Sequence, residues 1–158
     1  MSEILAKFEG VTGESTIKGY EGWIEINSWQ EGLFSPVNKD GTGLSGGKSQ
    51  LSSMSFQANG GKHTPDIIKR GTGGKHFSKV EIHFLKQTGD KLEKFRTSTC
   101  EEVFVSSWQG GDHKGGDGSE SFAMDATRVT WEYFAQDGTG ALASVGTATY
   151  DQKTGATT

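Results

Sequence analysis

Two short segments carry the glycine, lysine and hydroxyl residues that a phosphate-binding loop uses. They are Gly46-Gly47-Lys48-Ser49 and Gly61-Lys62-His63-Thr64. Such a loop surrounds a phosphate with backbone N–H groups and reaches it with the lysine, and it needs a further glycine at a fixed distance upstream. Neither segment has a glycine at that position, where the first of them has Thr42. Neither segment joins a strand to a long helix, so the sequence indicates no nucleotide site.

The glycine and aspartate segment 110–118 resembles one turn of a calcium-binding repeat. Such repeats bind calcium through several stacked copies, and only one copy is present. Cys100 has no partner cysteine. The histidines lack the short paired spacing that places two imidazoles on one metal ion; they are His63, His76, His83 and His113. We therefore predict a plain turn at 110–118, no metal and no cofactor.

No residues have the spacing that hydrolytic or acid–base catalysis requires. The sequence contains no Gly-x-Ser-x-Gly segment, which forms the nucleophile turn of one large hydrolase class. Glu101 and Glu102 are adjacent in a predicted strand, where neighbouring side chains point to opposite faces. We interpret the tryptophans and phenylalanines as core residues rather than as a platform for bases or sugars. We nominate no catalytic residue and predict that the protein is not an enzyme.

The composition describes one small, mildly acidic domain over residues 1–158. A net charge of −4 disfavours a surface that covers phosphates, so we expect no nucleic-acid partner. No apolar run approaches the ~18 residues that cross a bilayer, so we expect no membrane insertion. Charged residues within the first nine positions interrupt the apolar segment that a signal peptide needs. The lone cysteine fits folding in a reducing compartment such as the cytoplasm.

Alternating apolar and polar residues predict an all-β fold, a two-sheet β-barrel or sandwich with one short α-helix. In the strand 20–34 we expect both faces to be covered, including Leu33 and Phe34. Thr64 is the expected N-cap of the helix and Gly71 its stop. A change of face is expected near Thr127. The predicted strands are 4–8, 20–34, 50–57, 77–87, 92–108 and 121–134, with a hairpin turn at 88–90. We expect a flexible tail over 137–158, ordered on assembly, with a weak strand at 144–150.

Several short segments carry a further signal through their order along the chain. They are Val11–Ser15, Trp23–Trp29, His63–Pro65, Gly74–His76, Gly89–Asp90, Val105–Ser107 and Val129–Tyr133. Together they resemble the Hcp family, the tube-forming protein of bacterial type VI secretion. The chain departs from the family pattern at Thr16–Tyr20, and its tail lacks the aromatic ending of many members. These departures concern contacts between rings and the choice of partner rather than the fold.

The resemblance implies a barrel with one helix outside it, copies that close into a homohexameric ring, and rings that stack into a hollow tube. It also implies a contractile sheath around the tube, a spike protein at its tip and secreted effectors as partners. The protein would occur in the bacterial cytoplasm and leave through the type VI apparatus without a signal peptide. One alternative is the tail-tube protein of a phage or another contractile injection particle. A second is a small binding module or hydrolase that uses 110–118.

The segment 35–48 is the predicted contact element between copies. It is rich in glycine, polar and without an apolar period, and a loop of this length usually binds something. The candidate residues for the ring or stacking contact are Pro36, Val37, Asn38, Lys39, Asp40 and Leu44. Ser28 and Gln30, which are polar on one face of a predicted strand, are candidates for lining a water-filled lumen.

Overall fold

The computed structural model describes residues 2–41, 43–116 and 118–158, most of which lie in antiparallel strands. One helix, α1, spans Thr64–Gly73. The strands are β1 (Ser2–Phe8), β2 (Ile24–Ile26), β3 (Ser28–Gln30), β4 (Leu33–Phe34), β5 (Val37–Asp40), β6 (Gly43–Gly46), β7 (Gln50–Leu51), β8 (Met54–Asn59), β9 (Phe77–Thr88), β10 (Lys91–Gly111), β11 (Ser119–Gln136), β12 (Leu142–Asp151) and β13 (Ala156–Thr157). The fold class predicted from the sequence, all-β with one short helix, is confirmed.

Most of the strands form a closed barrel. The path of hydrogen-bonded neighbours runs β2-β1-β9-β10-β11-β8-β3. Only Asn27 separates β2 from β3, and its backbone N–H donates to the carbonyl oxygen of Gln57 in β8 at 2.7 Å. The path therefore returns to its starting strand, which satisfies the backbone groups that an open sheet would leave at its edges.

The interior of the barrel is filled by apolar side chains at alternate positions of each strand. Val80, Ile82 and Phe84 point inward from β9, as their spacing predicted. The centre is aromatic: Phe8 contacts Phe77 with ring centroids 5.1 Å apart, and the rings of Phe56 and Phe122 stack at 4.7 Å. All four phenylalanines are almost fully buried, and each such side chain stabilises the fold by about 1.5–3 kcal/mol.

Strand β11 changes partner and face near its middle. It pairs with β8 up to Met124 and with β12 from Arg128 onward, while β10 accompanies both halves. Ala126 and Val129 are both buried, so the inward face shifts by one residue between them. The structure thus has the change of face near Thr127 that the pattern of apolar residues indicated.

The partner strand β10 changes face at the same level. Glu102 adopts φ +50°, and Cys100 and Val103 on either side are both buried. Glu101 and Glu102 consequently both lie outside the core and line the same surface groove of about 460 Å³. The expectation that they point to opposite faces is wrong, because it assumed an unbroken strand.

Helix α1 begins and ends differently from the sequence prediction. Its N-cap is His63, whose side chain makes no capping bond. The hydroxyl of Thr64, the expected cap, instead donates to Glu120 Oε1 at 2.6 Å. The helix continues past Gly71 and ends at Gly74, whose φ of +65° is in the left-handed region that glycine adopts readily. Among the described residues, no helix is long and apolar enough to span a bilayer.

The predicted strand 20–34 is divided into β2, β3 and β4. Ile24 and Ile26 are buried as expected, but Leu33 and Phe34 are 54% and 50% exposed, so the expectation of full cover is wrong. The chain leaves the barrel after β3, so the side chains of Leu33 and Phe34 do not reach the core. In the tail, the expected weak strand is the longer β12, while the flexibility of 137–158 stays a prediction.

Gly13 lies where two loop segments touch, and this contact gives a test of the fold. Its N–H donates to the carbonyl oxygen of Gly22 at 2.6 Å, and a Cβ at position 13 would overlap the carbonyl group of Trp23. Because this obstacle is backbone, Gly13→Ala should lower the free energy of unfolding by about 1–3 kcal/mol. Urea unfolding measures the loss. Gly138→Ala, where a Cβ meets nothing within 4 Å, is the control and should change stability little.

Candidate assembly surfaces

The segment 33–51 forms a two-stranded arm that projects from the barrel. Ser52 N–H donates to the carbonyl oxygen of Gly32 at 2.9 Å where the arm leaves the barrel. Strand β4 then pairs with β7 and β5 with β6. Between these pairs, Gly47 N–H donates to the carbonyl oxygen of Pro36 at 2.7 Å. The segment 35–48, expected as an irregular loop, is therefore largely a hairpin; Thr42 lies outside the described residues.

All six candidate contact residues lie on the arm. Pro36 connects β4 to β5, residues 37–40 form β5, and Leu44 lies in β6. Val37 is 57% exposed and Leu44 is 72% exposed, and the side chain of Lys39 is exposed as well. The structure thus brings the candidates together on one projecting element.

A second surface is the edge ribbon, made of β12 and the residues 129–136 of β11. β12 pairs with β11 along its length, but on its outer side β13 pairs only with Tyr150 and Asp151. Thr149 and Thr158 add two backbone hydrogen bonds there. Within the described part of the chain, 142–148 has no strand on that outer side. This stretch contains neither charge nor proline, the features that usually prevent strand pairing at an edge.

The exposed large apolar side chains are concentrated on these two surfaces. Four of the eight among the described residues lie on the arm and two on the edge ribbon. The six are Leu33, Phe34, Val37, Leu44, Tyr133 and Val145. The other two, Phe104 and Trp108, lie on β10. Apolar groups grouped in this way on protruding elements are typical of an interaction surface.

Ser28 and Gln30 lie side by side on an uncharged outer face of the barrel. Both side chains are exposed on β3, while Trp29 between them turns inward and stacks on Phe56. Gln30 Oε1 accepts a hydrogen bond from the hydroxyl of Ser55 at 3.4 Å. The register of the neighbouring strands extends this neutral face with Ser55, Gln57, Ser107, Gln109, Ser121 and Ala123. We refer to it below as the neutral face.

Two histidines lie in structured clusters away from the arm. Nε2 of His63 is 3.5 Å from Glu120 Oε2, and both side chains are buried. Burial lowers the pKa of His63, and the carboxylate of Glu120 opposes this effect. His83 Nδ1 lies 3.0 Å from the hydroxyl of Tyr20, and its ring also packs against Trp23. The contacts of His83 with Tyr20 and Trp23 hold the segment 10–23 against the barrel.

The described residues contain no group of three or more histidine, cysteine, aspartate or glutamate side chains close enough to hold a metal ion. The segment 110–118 consists of the end of β10 and a loop, with Asp117 outside the described residues. Cys100 is buried, which raises the pKa of its thiol to about 12, so the thiol stays protonated at neutral pH. The buried pair of His63 and Glu120 has a structural role instead. Glu120 of β11 accepts a hydrogen bond from Thr64, which attaches the first turn of α1 to the barrel.

Comparison with known proteins connects this geometry to one family. The family model described as "Type VI secretion system effector, Hcp" matches residues 6–133. A solved structure of a type six secretion system protein superimposes with a TM-score of 0.92 at 25% identity, over 100% of both chains. Hcp1 from Salmonella typhimurium gives a TM-score of 0.82 at 21% identity, over 99% of both chains. A type VI secretion system effector from Yersinia pestis gives 0.70 at 18% identity, over 94% of this chain and 98% of that one. No curated protein matches the sequence.

The cluster of Tyr20, Trp23 and His83 predicts a pH-dependent stability. Burial lowers the pKa of His83, and the charge of Lys94 lowers it further. A group whose pKa is lower in the folded state contributes stability above its unfolded pKa of about 6.5, and this contribution is lost as the pH falls through the folded pKa. His83→Gln should therefore reduce the fall in melting temperature between pH 7.5 and 5.5 by about 1–2 °C.

Calorimetry at the two pH values measures this difference. His113→Gln, on an exposed loop, is the control and should keep the pH dependence of the parent protein. An unchanged fall in the His83 variant would contradict the assignment.

Proposed function

Since this chain belongs to the Hcp family and is a structural subunit of the type VI secretion tube, we propose that its copies close into hexameric rings, that the rings stack, and that the tube carries effectors in its lumen. The family consists of structural proteins rather than enzymes, and its members assemble with copies of themselves and are secreted by type VI systems. We further propose that the contractile sheath and the spike protein are partners of the tube. Before secretion, the proposed location of the subunit is the bacterial cytoplasm.

The concentration of exposed apolar side chains on the arm and the edge ribbon carries this proposal. A closed barrel hides its own backbone groups, so few surfaces remain through which copies can pair specifically. The arm and the ribbon are two different surfaces, and contacts between unlike surfaces produce rings when the rotation closes. The match to a type VI family favours this function over the alternative of a phage tail tube.

The edge ribbon is the proposed ring contact. The outward N–H and C=O groups of 142–148 can pair with a strand of the neighbouring copy, which extends the sheet from one subunit to the next. Val145 and Tyr133, 65% and 48% exposed, would then be covered at the same junction. This interface needs only backbone groups and a few apolar side chains, so it requires no buried charge.

The arm is the proposed contact for stacking or for a neighbour within the ring. Leu44 and Val37 project from its two strands and have no cover within the described subunit. Pro36, Asn38, Lys39 and Asp40 complete the candidate set on the same element. A hairpin of this length can reach across to another copy while its base stays attached to the barrel.

The neutral face around Ser28 and Gln30 is the proposed lining of the lumen. Serine, glutamine and alanine side chains from β3, β8, β10 and β11 cover it, and none of them is charged. Such a surface keeps its hydration and attracts neither sign of charge strongly. A cargo protein could then be held by hydrogen bonds and released without breaking ion pairs.

The ring contact predicts a specific effect of proline in β12. Thr149 N–H points to the outer side, where it donates to Thr158, and alternation places the N–H of Thr147 on that side too. Thr147→Pro removes this donor and should weaken ring formation at least tenfold. Analytical ultracentrifugation and negative-stain microscopy measure ring formation. Thr147→Val keeps the N–H and is the control; equal assembly of both variants would contradict the edge contact.

The arm contact predicts a separate effect of its apolar tips. Because Val37 and Leu44 are exposed in the subunit, Val37→Ser with Leu44→Ser should leave the melting temperature within about 2 °C of the parent. The same double variant should weaken association between copies at least tenfold, since burying each side chain contributes about 1.5–3 kcal/mol. Light scattering against protein concentration measures the change. Unaltered association would remove these two residues from the proposed contact.

A further inference from the structure

The arm leaves the barrel through two chain segments, and side chains at its base hold it in place. Without other contacts a hairpin attached only at Gly32 and Ser52 would swing about its base. Two sets of hydrogen bonds from separate strands reach this base, one at each of the two segments. Both sets involve side chains that are shielded from solvent.

The first anchor is the carboxylate of Glu31, the last residue but one before β4. Glu31 Oε1 pairs with the guanidinium of Arg96 and accepts a hydrogen bond from the hydroxyl of Ser98 at 2.9 Å. The Glu31 side chain is only 8% exposed. The Arg96 guanidinium lies over the rings of Phe84 at 4.4 Å and Tyr133 at 5.5 Å, which fixes its position. A buried pair with this many contacts fixes geometry, and loss of one partner leaves a buried charge.

The second anchor comes from the end of β12 and holds the other segment. The hydroxyl of Tyr150 donates to the carbonyl oxygen of Ser49 at 2.5 Å, and the Tyr150 ring is 8% exposed. Gln152 Oε1 accepts a hydrogen bond from Leu51 N–H at 2.6 Å. Gln152 is itself fixed to the barrel, because its backbone N–H donates to Thr127 at 2.8 Å.

We propose that Glu31, Tyr150 and Gln152 are positioning residues that fix the direction of the arm for its contact with a second copy. This inference rests on the proposed function, in which the arm makes that contact. An arm held on both segments loses little conformational freedom when it binds, which strengthens association without any new contact. The second anchor also joins the arm to β12, so the two proposed contact surfaces are held in one fixed relation.

The test compares two anchor variants with two matched controls. Glu31→Gln removes the negative charge of the first anchor. Tyr150→Phe removes the hydrogen bond to Ser49 from the second anchor and keeps the buried ring. Glu120→Gln is the control for a buried glutamate, since Glu120 accepts from Thr64 and lies beside His63, away from the arm. Thr64→Val is the control for a lost hydroxyl hydrogen bond, because its hydroxyl donates to Glu120, away from the arm.

Two measurements separate positioning from simple loss of stability. Sedimentation velocity over a range of concentrations gives the concentration of half assembly. A spin label on Lys39→Cys reports motion of the arm at concentrations where the protein is monomeric. The native Cys100 does not interfere, because it is buried and its pKa is about 12.

Both anchor variants should raise the concentration of half assembly about tenfold, because one lost hydrogen bond to a shielded group has an effect of that size. Both should also make the spin label move faster. The controls should lower the melting temperature by a similar amount but assemble within threefold of the parent. Should Glu31→Gln fail to fold, Tyr150→Phe carries the test alone.

Anchor variants that assemble like the parent, with unchanged label motion, overturn the inference and leave the proposed function intact. A parent protein that stays monomeric at every concentration overturns the proposed function, and the assembly role of the anchors with it. In that case the label on position 39 still shows whether the anchors hold the arm.

Discussion

The backbone hydrogen bonding of β11 determines the architecture of this subunit. β10 accompanies the strand on one side, while the other side is shared between β8 and β12. The exchange occurs at Thr127, opposite Glu102 with its φ of +50°. The half that pairs with β8 closes the barrel, and the half that pairs with β12 extends beyond it. A continuous strand with one partner per side would give either a complete barrel or an open sheet. The change of partner gives both a sealed core and a projecting edge.

The sequence predicted the elements whose side chains face the core and failed where no core imposes a pattern. The alternation through Val80 and Ile82 located β9, and the shift between Ala126 and Val129 located the change of face, because burial on one side selects apolar residues every second position. The outer part of the arm, 35–48, gave no such signal because its side chains do not pack into the core, so its hairpin was expected as a loop. Leu33 and Phe34 look like core residues in the sequence because an apolar side chain does not itself show whether the chain at that point lies in the barrel or on an exposed arm.

The remaining errors have local causes. Thr64 has the residue type of an N-cap, but its hydroxyl donates to Glu120, a contact between residues distant in the sequence. Glu101 and Glu102 were assigned to opposite faces because a positive φ at a non-glycine residue is rare and carries no residue signature.

The anchors of the arm were not anticipated either. Glu31 and Tyr150 are common surface types, and only the folded chain brings them to Arg96 and Ser49. The contact candidates on the arm and the polar pair Ser28 and Gln30 came from the sequence, and their roles stay predictions; Pro36, Val37, Lys39, Leu44, Ser28 and Gln30 are exposed.

The size of the exposed apolar groups favours an assembly that uses both surfaces together. Burying one such side chain contributes about 1.5–3 kcal/mol, whereas association of two copies costs roughly 4–15 kcal/mol of translational and rotational freedom. Two apolar side chains at either the arm tip or the edge ribbon would hardly offset that cost, and backbone pairing adds only about 0.5–1.5 kcal/mol per hydrogen bond. In a closed ring each subunit uses the same contacts on two sides, and the last contact to form costs little further freedom. Tyr150 and Gln152 hold the arm and β12 in a fixed relation through Ser49 and Leu51. Two individually weak contact surfaces in such a fixed relation would favour complete rings over isolated dimers.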